Sequence, residues 1–485
     1  MAKERQLIER VASGVAWSVT EKVGSALLQA VVSIVVANRI MPMDMGIIAV
    51  LTVFTTLAQV VVDSGFSQTL IRKTAPTQAD YKAVFRFNIL SSVSLYLLLT
   101  LISPYVARYY DWALLAQVAP VLFLLLPLNA LCVIQNTIMV REFRFAQLST
   151  ITFLSSLVSG IIAIVMALTG FGIWSLVGQR VSMMATKAAL LWWRNPWRPT
   201  KEKAGSLREM APYSLRLMTT DLITALYNNV AQLFIGKIYS GTQLGYFNQA
   251  QKLKDMPVNS TMQSIQSVTF PALAKIGGDE KKFSESYRSV VMVTAYIMFP
   301  MMAGLIATAE EIYTLLLKPY WHPAIPYFRV LCIVGFFYPI AAISYNILKV
   351  KSNGSIILRL EIIKKVIMTL VLCLTIPRSV MAVAWGLAVM AASEMCLNIV
   401  AARRYAEVSI MRLAFTLLPI AITTSIMYLA VYFAGQLLLD WSILARLSAM
   451  IATGIATYIL IGWLSRQEAF CQVLNIAKKI LYRNK

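Results

Sequence analysis

Long apolar runs recur along the whole sequence and leave no room between them for soluble domains. A helix that crosses a bilayer needs roughly 20 mostly apolar residues. Only 14% of the 485 residues are charged, against about a quarter in an average soluble domain, so the chain has too little charge to cover a soluble surface. The sequence therefore predicts an all-α polytopic membrane protein with about 14 transmembrane helices. These spans, numbered 1 to 14 in chain order, lie at residues 11–38, 44–62, 83–103, 113–140, 146–168, 171–193, 209–236, 241–270, 286–308, 324–348, 354–376, 380–402, 411–434 and 442–464.

Lysine and arginine are distributed unevenly between the loops. If the amino terminus is cytoplasmic, the cytoplasmic loops carry roughly five times as many basic residues as the opposite loops, which is the bias that orients membrane proteins. This predicts a bacterial inner-membrane protein with both termini in the cytoplasm. The same small clusters account for the net charge of +22 without a nucleic-acid partner. The few basic residues on the other side are Arg39, Arg108, Lys237, Lys318, Arg378 and Arg446.

Residue patterns typical of catalysis and of metal binding are missing from the sequence. No GxxxxGK[ST] phosphate-binding loop or GxSxG nucleophile motif occurs, and His322 is the single histidine. The 5 cysteines are widely spaced, with no CxxC pair. The amino-terminal segment lacks the short apolar core of a signal peptide, so we interpret it as a retained cytoplasmic lead-in. The sequence thus predicts neither an enzyme nor a cofactor.

The two halves of the chain resemble each other weakly. ANRIMPMDMGIIAV around Gly46 matches IGKIYSGTQLGYFNQA around Gly245, and TGFGIWSLVGQRV parallels RSVMAVAWGLAVM. Small residues such as these glycines let membrane helices approach closely, and transporters commonly place substrate sites at the interface of such repeats. The predicted organisation is an N-lobe at 1–205, a C-lobe at 206–405, two added helices at 406–465 and a basic amphipathic cytoplasmic tail at 466–485.

Polar residues recur at helical spacing on spans 1, 2, 7 and 8, and further ionisable residues lie in spans 6, 11 and 12. Lipid does not tolerate such faces. They either form hydrogen bonds between helices or line a hydrated cavity between the lobes, and the pattern on four spans favours the cavity. The candidate substrate-cavity residues are Lys22, Gln29, Gln59, Asp63, Arg180, Arg216, Asn228, Lys252, Asn259, Gln263 and Lys364.

The charges in this set indicate the kind of cargo. Cations outnumber anions, which favours an anionic cargo such as a pyrophosphate. Carboxylates within a membrane can instead bind a coupling ion, H⁺ or Na⁺. The candidate ion-coupling residues are Glu21, Asp221, Asp255, Glu361 and Glu394.

Four segments together carry a family resemblance: RVASGVAWS, DSGFSQTLIRK, FPALAKIGGD and LLLKPYWHPAIPYFRVLCIVG. In this order and spacing they resemble the Wzx-type polysaccharide transporters of the multidrug/oligosaccharidyl-lipid/polysaccharide exporter superfamily. The resemblance implies 14 helices in two six-helix lobes plus two, and ion-driven alternating access. The implied cargo is an undecaprenyl-pyrophosphate-linked oligosaccharide, and the implied partners are membrane lipids, a polysaccharide polymerase and a chain-length regulator.

Two other functions are compatible with a chain of this kind. A drug or small-metabolite exporter of the same superfamily would have a narrower, acidic and aromatic cavity, which the excess of lysine and arginine argues against. A membrane enzyme such as a ligase or polymerase would need a large external loop with catalytic residues, and the external loops here are short.

Overall fold

A computed structural model describes residues 24–25, 27–199, 205–276, 280–351, 354–406 and 410–474. Within these ranges all regular secondary structure is helical, which confirms the predicted fold class. Glu21 and Lys22 lie outside the described residues. The helices are α1 (Leu27–Ala37), α2 (Pro42–Asp63), α3 (Phe66–Arg72), α4 (Gln78–Tyr110), α5 (Ala113–Phe123), α6 (Leu125–Arg141), α7 (Phe145–Leu168), α8 (Trp174–Arg194), α9 (Ala211–Ile238), α10 (Gly241–Ile276), α11 (Glu280–Ala307), α12 (Ala309–Leu316), a 3₁₀ turn (Pro319–Ala324), α13 (Ile325–Lys351), α14 (Gly354–Thr375), α15 (Val380–Ala406), α16 (Ile410–Leu437) and α17 (Ile443–Leu464).

Each predicted span overlaps one or two of these helices, and the short helices α3 and α12 lie outside the predicted spans. In the described ranges, 9 helical segments are both long and apolar enough to cross a membrane. The helices that correspond to the remaining predicted spans are α1, α8, α9, α10 and α14, and each carries some of the predicted cavity or coupling residues. The described part of α1 is apolar but shorter than 18 residues, whereas polar and charged side chains make the other four helices less apolar.

Span 4 is predicted as one segment but is broken into α5 and α6 at Leu124. The break follows from Pro127, which has no N–H to donate to the carbonyl of Phe123 and whose ring crowds that carbonyl. The chain continues in nearly the same direction, because Leu124 keeps helical backbone angles. α5 and α6 together form one segment, Ala113–Arg141, that is long and apolar enough to cross a membrane.

The chain forms two compact units: a first unit up to Asn248 and a second unit from Gln249. The first unit contains α9 and the start of α10 as well as the six preceding spans, because α9 packs along α2. The predicted lobes, 1–205 and 206–405, were inferred from the sequence repeat and not from helix packing, and they stay a prediction.

The DSGF segment forms a tight turn between α2 and α3 in the first unit. Ser64 and Gly65 both have positive φ, at 44° and 69°. A side chain at Gly65 would also crowd Leu217 and the carbonyl of Ser214 on α9, at 2.9 Å. Arg141 from α6 donates to carbonyls at the end of α3, including Lys73 O at 2.7 Å. The turn therefore ties α2, α3, α6 and α9 together at one end of the unit.

In the second unit α13 packs between α11 and α15, and the two added helices α16 and α17 pack on α11 and on each other. The described part of the tail continues this packing. Ala469 is 2% exposed within an apolar cluster that includes Met292, Ile420 and Tyr458, and Phe470 lies against the same cluster. Residues 467–474 form a segment, here named the C-terminal strap, that lies against α11 and α16.

Candidate functional site

The two segments related by the sequence repeat meet in the first unit. A side chain at Gly46 on α2 would overlap the carbonyl of Gly241 on α10, and a side chain at Gly245 on α10 would overlap the carbonyl of Pro42 on α2. The same sequence offset converts Gly46 into Gly245 and Pro42 into Gly241. Each contact is therefore the repeat-related copy of the other, as in a two-fold symmetric interface. We call this pair of contacts the glycine crossing.

Aromatic side chains from the end of α4 surround the glycine crossing. Tyr110 donates to the carbonyl of Leu233 on α9 at 3.1 Å. Trp112 lies against both Gly236 and Gly241. Lys237 contacts Asp111 at 4.0 Å and lies over the ring of Tyr109. The start of α2, the ends of α4 and α9 and the start of α10 are thus closely packed at the end of the first unit that the charge bias predicts to be external.

Polar side chains from α2, α6 and α8 pair inside the first unit, from Thr52 in the middle of α2 to Asp63 at its last residue. Arg180 on α8 donates to the hydroxyl of Thr52 on α2 at 2.7 Å. Asn129 on α6 donates to the carboxylate of Asp63 on α2 at 3.2 Å. Arg180 and Asp63, both half-buried, take part in no ion pair with any residue that the structure describes. Lys187 lies seven residues, about two turns, further along α8 than Arg180.

We call Asp63, Asn129, Arg180, Thr52 and Lys187 the α2–α6–α8 site, a set of separate contacts spread along α2 from Thr52 to Asp63. Its ionisable members are two cations and one carboxylate. A guanidinium held only by a neutral hydroxyl keeps most of its donors for another acceptor. The arrangement is therefore suited to an anion that brings its own oxygens.

The other predicted polar residues of the first unit lie on accessible faces. Gln29 on α1 is exposed, and Gln59 on α2 is half-buried. On α9, Arg216, Asp221 and Asn228 are all exposed. The structure does not bring these α9 side chains into the α2–α6–α8 site through any hydrogen bond or ion pair among the described residues.

The second unit joins three of the predicted residues into one ionic cluster. Lys364 on α14 contacts Glu361, one turn earlier, at 3.1 Å and Glu394 on α15 at 3.0 Å. The Lys364 side chain is 11% exposed, whereas those of Glu361 and Glu394 are 36% and 45% exposed. Tyr345 on α13 completes the cluster: the Lys364 ammonium lies 4.5 Å from its ring centre, and its hydroxyl bonds to Glu361. We call these four residues the α13–α15 cluster.

Residues on α10 lie near the same helices of the second unit. Asp255 pairs with its neighbour Lys254, which is buried. The charges of both Asp255 and Glu394 act on the Tyr338 hydroxyl of α13. Lys252 is half-buried, and Asn259 and Gln263 are exposed. The polar face predicted for span 8 is therefore accessible at its far end and becomes buried at the Lys254–Asp255 pair.

Several residues of these sites are absent from the sequence prediction. Asn129 had a usable signal, because an amide in the apolar run LLPLNALC needs a partner. The sequence contained no signal for Lys254, because Lys252 lies on the same helix and has the same chemistry. Tyr345 became recognisable only once α13 and α14 were packed together. Across the described residues, no group of three or more His, Cys, Asp or Glu side chains is arranged to hold a metal ion.

Together the apolar spans and the polar clusters placed within them define a multi-pass membrane transporter fold. The solved structure of the lipid II flippase MurJ in an inward closed conformation superposes with a TM-score of 0.70, covering 94% of this chain and 98% of that one at 13% sequence identity. A multidrug resistance MATE family transporter in an inward-facing conformation gives 0.62, covering 81% and 95% at 15% identity. At this identity the likeness concerns the fold alone.

The sequence comparisons identify the family. The model of the polysaccharide biosynthesis protein family matches residues 35–326, and the chain belongs to this family. The teichuronic acid biosynthesis protein TuaB of Bacillus subtilis (strain 168) is 24% identical over 336 residues, 68% of this chain and 69% of that protein. The succinoglycan biosynthesis transport protein ExoT of Rhizobium meliloti (strain 1021) is 22% identical over 326 residues, 67% and 66%. The predicted membership in a family of polysaccharide biosynthesis proteins is confirmed.

Proposed function

We propose that this protein flips an undecaprenyl-pyrophosphate-linked oligosaccharide repeat unit across the bacterial inner membrane by ion-coupled alternating access. The family match carries the proposal, because it limits the chain to polysaccharide biosynthesis and its fold is that of a transporter. The flipped repeat unit is then built into a capsule, a colanic-acid-like polymer or O-antigen. A polymerase and a chain-length regulator would act on the flipped unit. The sequence likeness to the colanic acid exporter WzxC within the family stays a prediction.

The α2–α6–α8 site supports an anionic cargo. Arg180 and Lys187 have no carboxylate partner among the described residues, and Arg180 is held by Thr52 alone. Placing a cation in a membrane protein without a counter-ion is costly unless a ligand or water supplies one. A pyrophosphate would supply oxygens for cations such as these.

The α13–α15 cluster supports coupling to a cation. Two carboxylates share one ammonium, so the cluster keeps a formal charge of −1. A proton or Na⁺ that binds Glu361 or Glu394 competes with Lys364 for the same oxygens, which changes how α14 and α15 are held together. Asp255, joined to Lys254, is a second candidate on α10. Glu21 and Asp221 stay predictions.

The glycine crossing supports a gate at the external end of the first unit. The backbones of α2 and α10 touch without intervening side chains, so this end has no open space along the contact. Release of cargo on that side requires the two helix starts to separate. A disulfide between Met43→Cys and Gly241→Cys, whose side chains would be in contact, is expected to stop transport when oxidised and to permit it when reduced.

A drug or small-metabolite exporter is the alternative function. Such a protein would handle cationic or neutral compounds, for which unpaired cations in the α2–α6–α8 site give no attraction. The two functions differ in what accumulates when the protein is removed. Deleting the gene is expected to leave the completed lipid-linked repeat unit on the cytoplasmic face and to abolish the surface polymer.

Complementation makes this test specific. The wild-type gene is expected to restore the polymer, whereas Asp255→Ala and Lys22→Ala are expected to leave export absent with normal amounts of inserted protein. Normal surface polymer and no accumulated lipid-linked sugar in the deletion strain would refute the flippase. A restored polymer with either variant would refute only its predicted site role.

A further inference from the structure

A cavity of about 430 Å³ opens in the second unit beside the first turns of α16. Its walls come from α11, from α16 and from the C-terminal strap, and none belongs to the clusters assigned to transport. The residues that matter for its chemistry are Arg288, Arg412, Phe415, Thr416, Pro419 and Glu468.

The two arginines that line the cavity differ in their side-chain partners. Arg288 is engaged, since it donates to the hydroxyl of Thr416 at 3.0 Å and to the carboxylate of Glu468 at 2.8 Å. Arg412 is exposed and has no side-chain partner in the part of the chain that the structure describes. Arg288 and Glu468 neutralise each other, so the wall of the cavity keeps the single charge of Arg412.

The strap holds this wall in place from the other side. Gln467 donates to the hydroxyl of Thr423 at 2.6 Å, and Ser289 donates to Gln472 at 2.6 Å. These bonds join the strap to α16 and α11 around the cavity. The shape of the cavity is therefore built by side-chain contacts and does not depend on one loop.

The length of α16 indicates that the cavity would lie at the depth of lipid headgroups in a bilayer. α16 has 28 residues, which at 1.5 Å per residue is about 42 Å, longer than the roughly 30 Å hydrocarbon core. Arg412 is near its first turn, at the end that the charge bias predicts to be cytoplasmic. Met411, Phe415 and Leu418 around it are 65%, 64% and 51% exposed, as expected for side chains that face acyl chains.

We propose that this cavity binds the headgroup phosphate of an anionic bilayer phospholipid, with its glycerol and upper acyl chains along Phe415 and Pro419. Basic pockets between membrane helices on the cytoplasmic side have this function in other proteins. A single unpaired guanidinium matches one phosphodiester charge. The diphosphate of a polyprenyl carrier has at least one further negative charge, and the neighbouring Glu468 would oppose it. The bound lipid would hold α11, α16 and the strap together.

The test uses the purified full-length protein in an uncharged detergent. Dioleoylphosphatidylglycerol is titrated while the thermal unfolding midpoint is recorded, and native mass spectrometry counts retained lipids. Phosphatidylglycerol is expected to raise the midpoint and dioleoylphosphatidylcholine to have little effect. Arg412→Gln is expected to require about tenfold more phosphatidylglycerol, because it loses a charge-assisted hydrogen bond.

A matched control is Arg404→Gln, which removes an exposed arginine at the end of α15, outside the cavity. It is expected to respond like the wild type. Equal weakening by both variants would mean that the lipid acts through net charge, and no weakening by Arg412→Gln would mean that it binds elsewhere; either result overturns the proposal. A stronger response to undecaprenyl diphosphate than to phosphatidylglycerol, lost in Arg412→Gln, would assign the cavity to the cargo and overturn it as well. Arg412→Glu provides a second variant, expected to abolish retention of phosphatidylglycerol.

Discussion

The α2–α6–α8 site and the α13–α15 cluster use similar residues in opposite ways. In the first, Arg180 is held by a hydroxyl and Asp63 by an amide, so neither charge is neutralised by a protein partner among the described residues. In the second, Lys364 lies between two carboxylates. The first is therefore open to an anionic ligand, and the second is closed on itself until a cation competes for its oxygens. We expect this difference in charge partners to assign cargo binding to the α2–α6–α8 site and ion binding to the α13–α15 cluster.

Removing the central cation of the α13–α15 cluster is expected to have the largest effect. Lys364→Ala leaves two carboxylates without a counter-charge between α14 and α15. Breaking a fully buried pair costs roughly 3–5 kcal/mol, and the partial exposure of both glutamates reduces this to about 2 kcal/mol. Transport is expected to be lost. Thermal unfolding in detergent measures the first effect and surface polymer the second.

The control for Lys364→Ala is the double variant that also carries Glu394→Gln. The double variant removes one of the two repelling charges, so part of the lost stability is expected to return while transport stays absent. If the single variant unfolds like the wild type, the ammonium does not hold the cluster together. The proposed contrast with the α2–α6–α8 site would then fail.

The next effect in size concerns Arg180. Arg180→Gln keeps a donor for Thr52 but removes the charge, so we expect stability to change little and cargo binding to weaken about tenfold, the value of one charge-assisted hydrogen bond. Binding of lipid-linked sugar to purified protein measures this. Tighter binding in Arg180→Gln, or a change in ion dependence with unchanged cargo binding, would reverse the roles assigned to the two regions.

The smallest expected effect comes from comparing Asp63 in the α2–α6–α8 site with Glu394 in the α13–α15 cluster. Asp63→Asn still accepts a hydrogen bond from Asn129 and is expected to change stability by no more than about 1 kcal/mol, with normal ion dependence of transport. Glu394→Gln, the matched change in the second unit, is expected to make transport insensitive to the ion gradient. Flipping rates measured with and without an imposed gradient compare the two. Identical behaviour of both variants would remove the distinction.

Hydropathy was enough to predict the all-helical fold, because a membrane helix must satisfy its backbone hydrogen bonds internally, which makes each helix a local property of the sequence. The exception at Leu124 also has a local cause, the proline at position 127. The repeat identified Gly46 and Gly245 as equivalent. It could not show that Gly46 packs against Gly241 and that Gly245 packs against Pro42. These contacts depend on how α2 and α10 cross.

The site residues were less predictable because polar contacts are pairwise. Glu361, Lys364 and Glu394 could each be singled out as ionisable groups in apolar spans, yet their grouping needs the packing of α14 on α15. On α10, Lys252 and Lys254 have the same chemistry and lie two positions apart, so they face different directions. The sequence could not tell that Lys254 is the buried one that pairs with Asp255.

The most direct test of the account is flipping by the purified protein in sealed vesicles. Fluorescent lipid-linked oligosaccharide is placed in both leaflets, and a membrane-impermeant glycosidase reports how much is accessible outside. The wild type with an imposed H⁺ or Na⁺ gradient is expected to move the inner pool to the outside, and Lys364→Ala is expected to leave it protected. Gradient-independent flipping by both proteins, or no flipping of the lipid-linked sugar alongside efflux of a small organic cation, would contradict the proposed function.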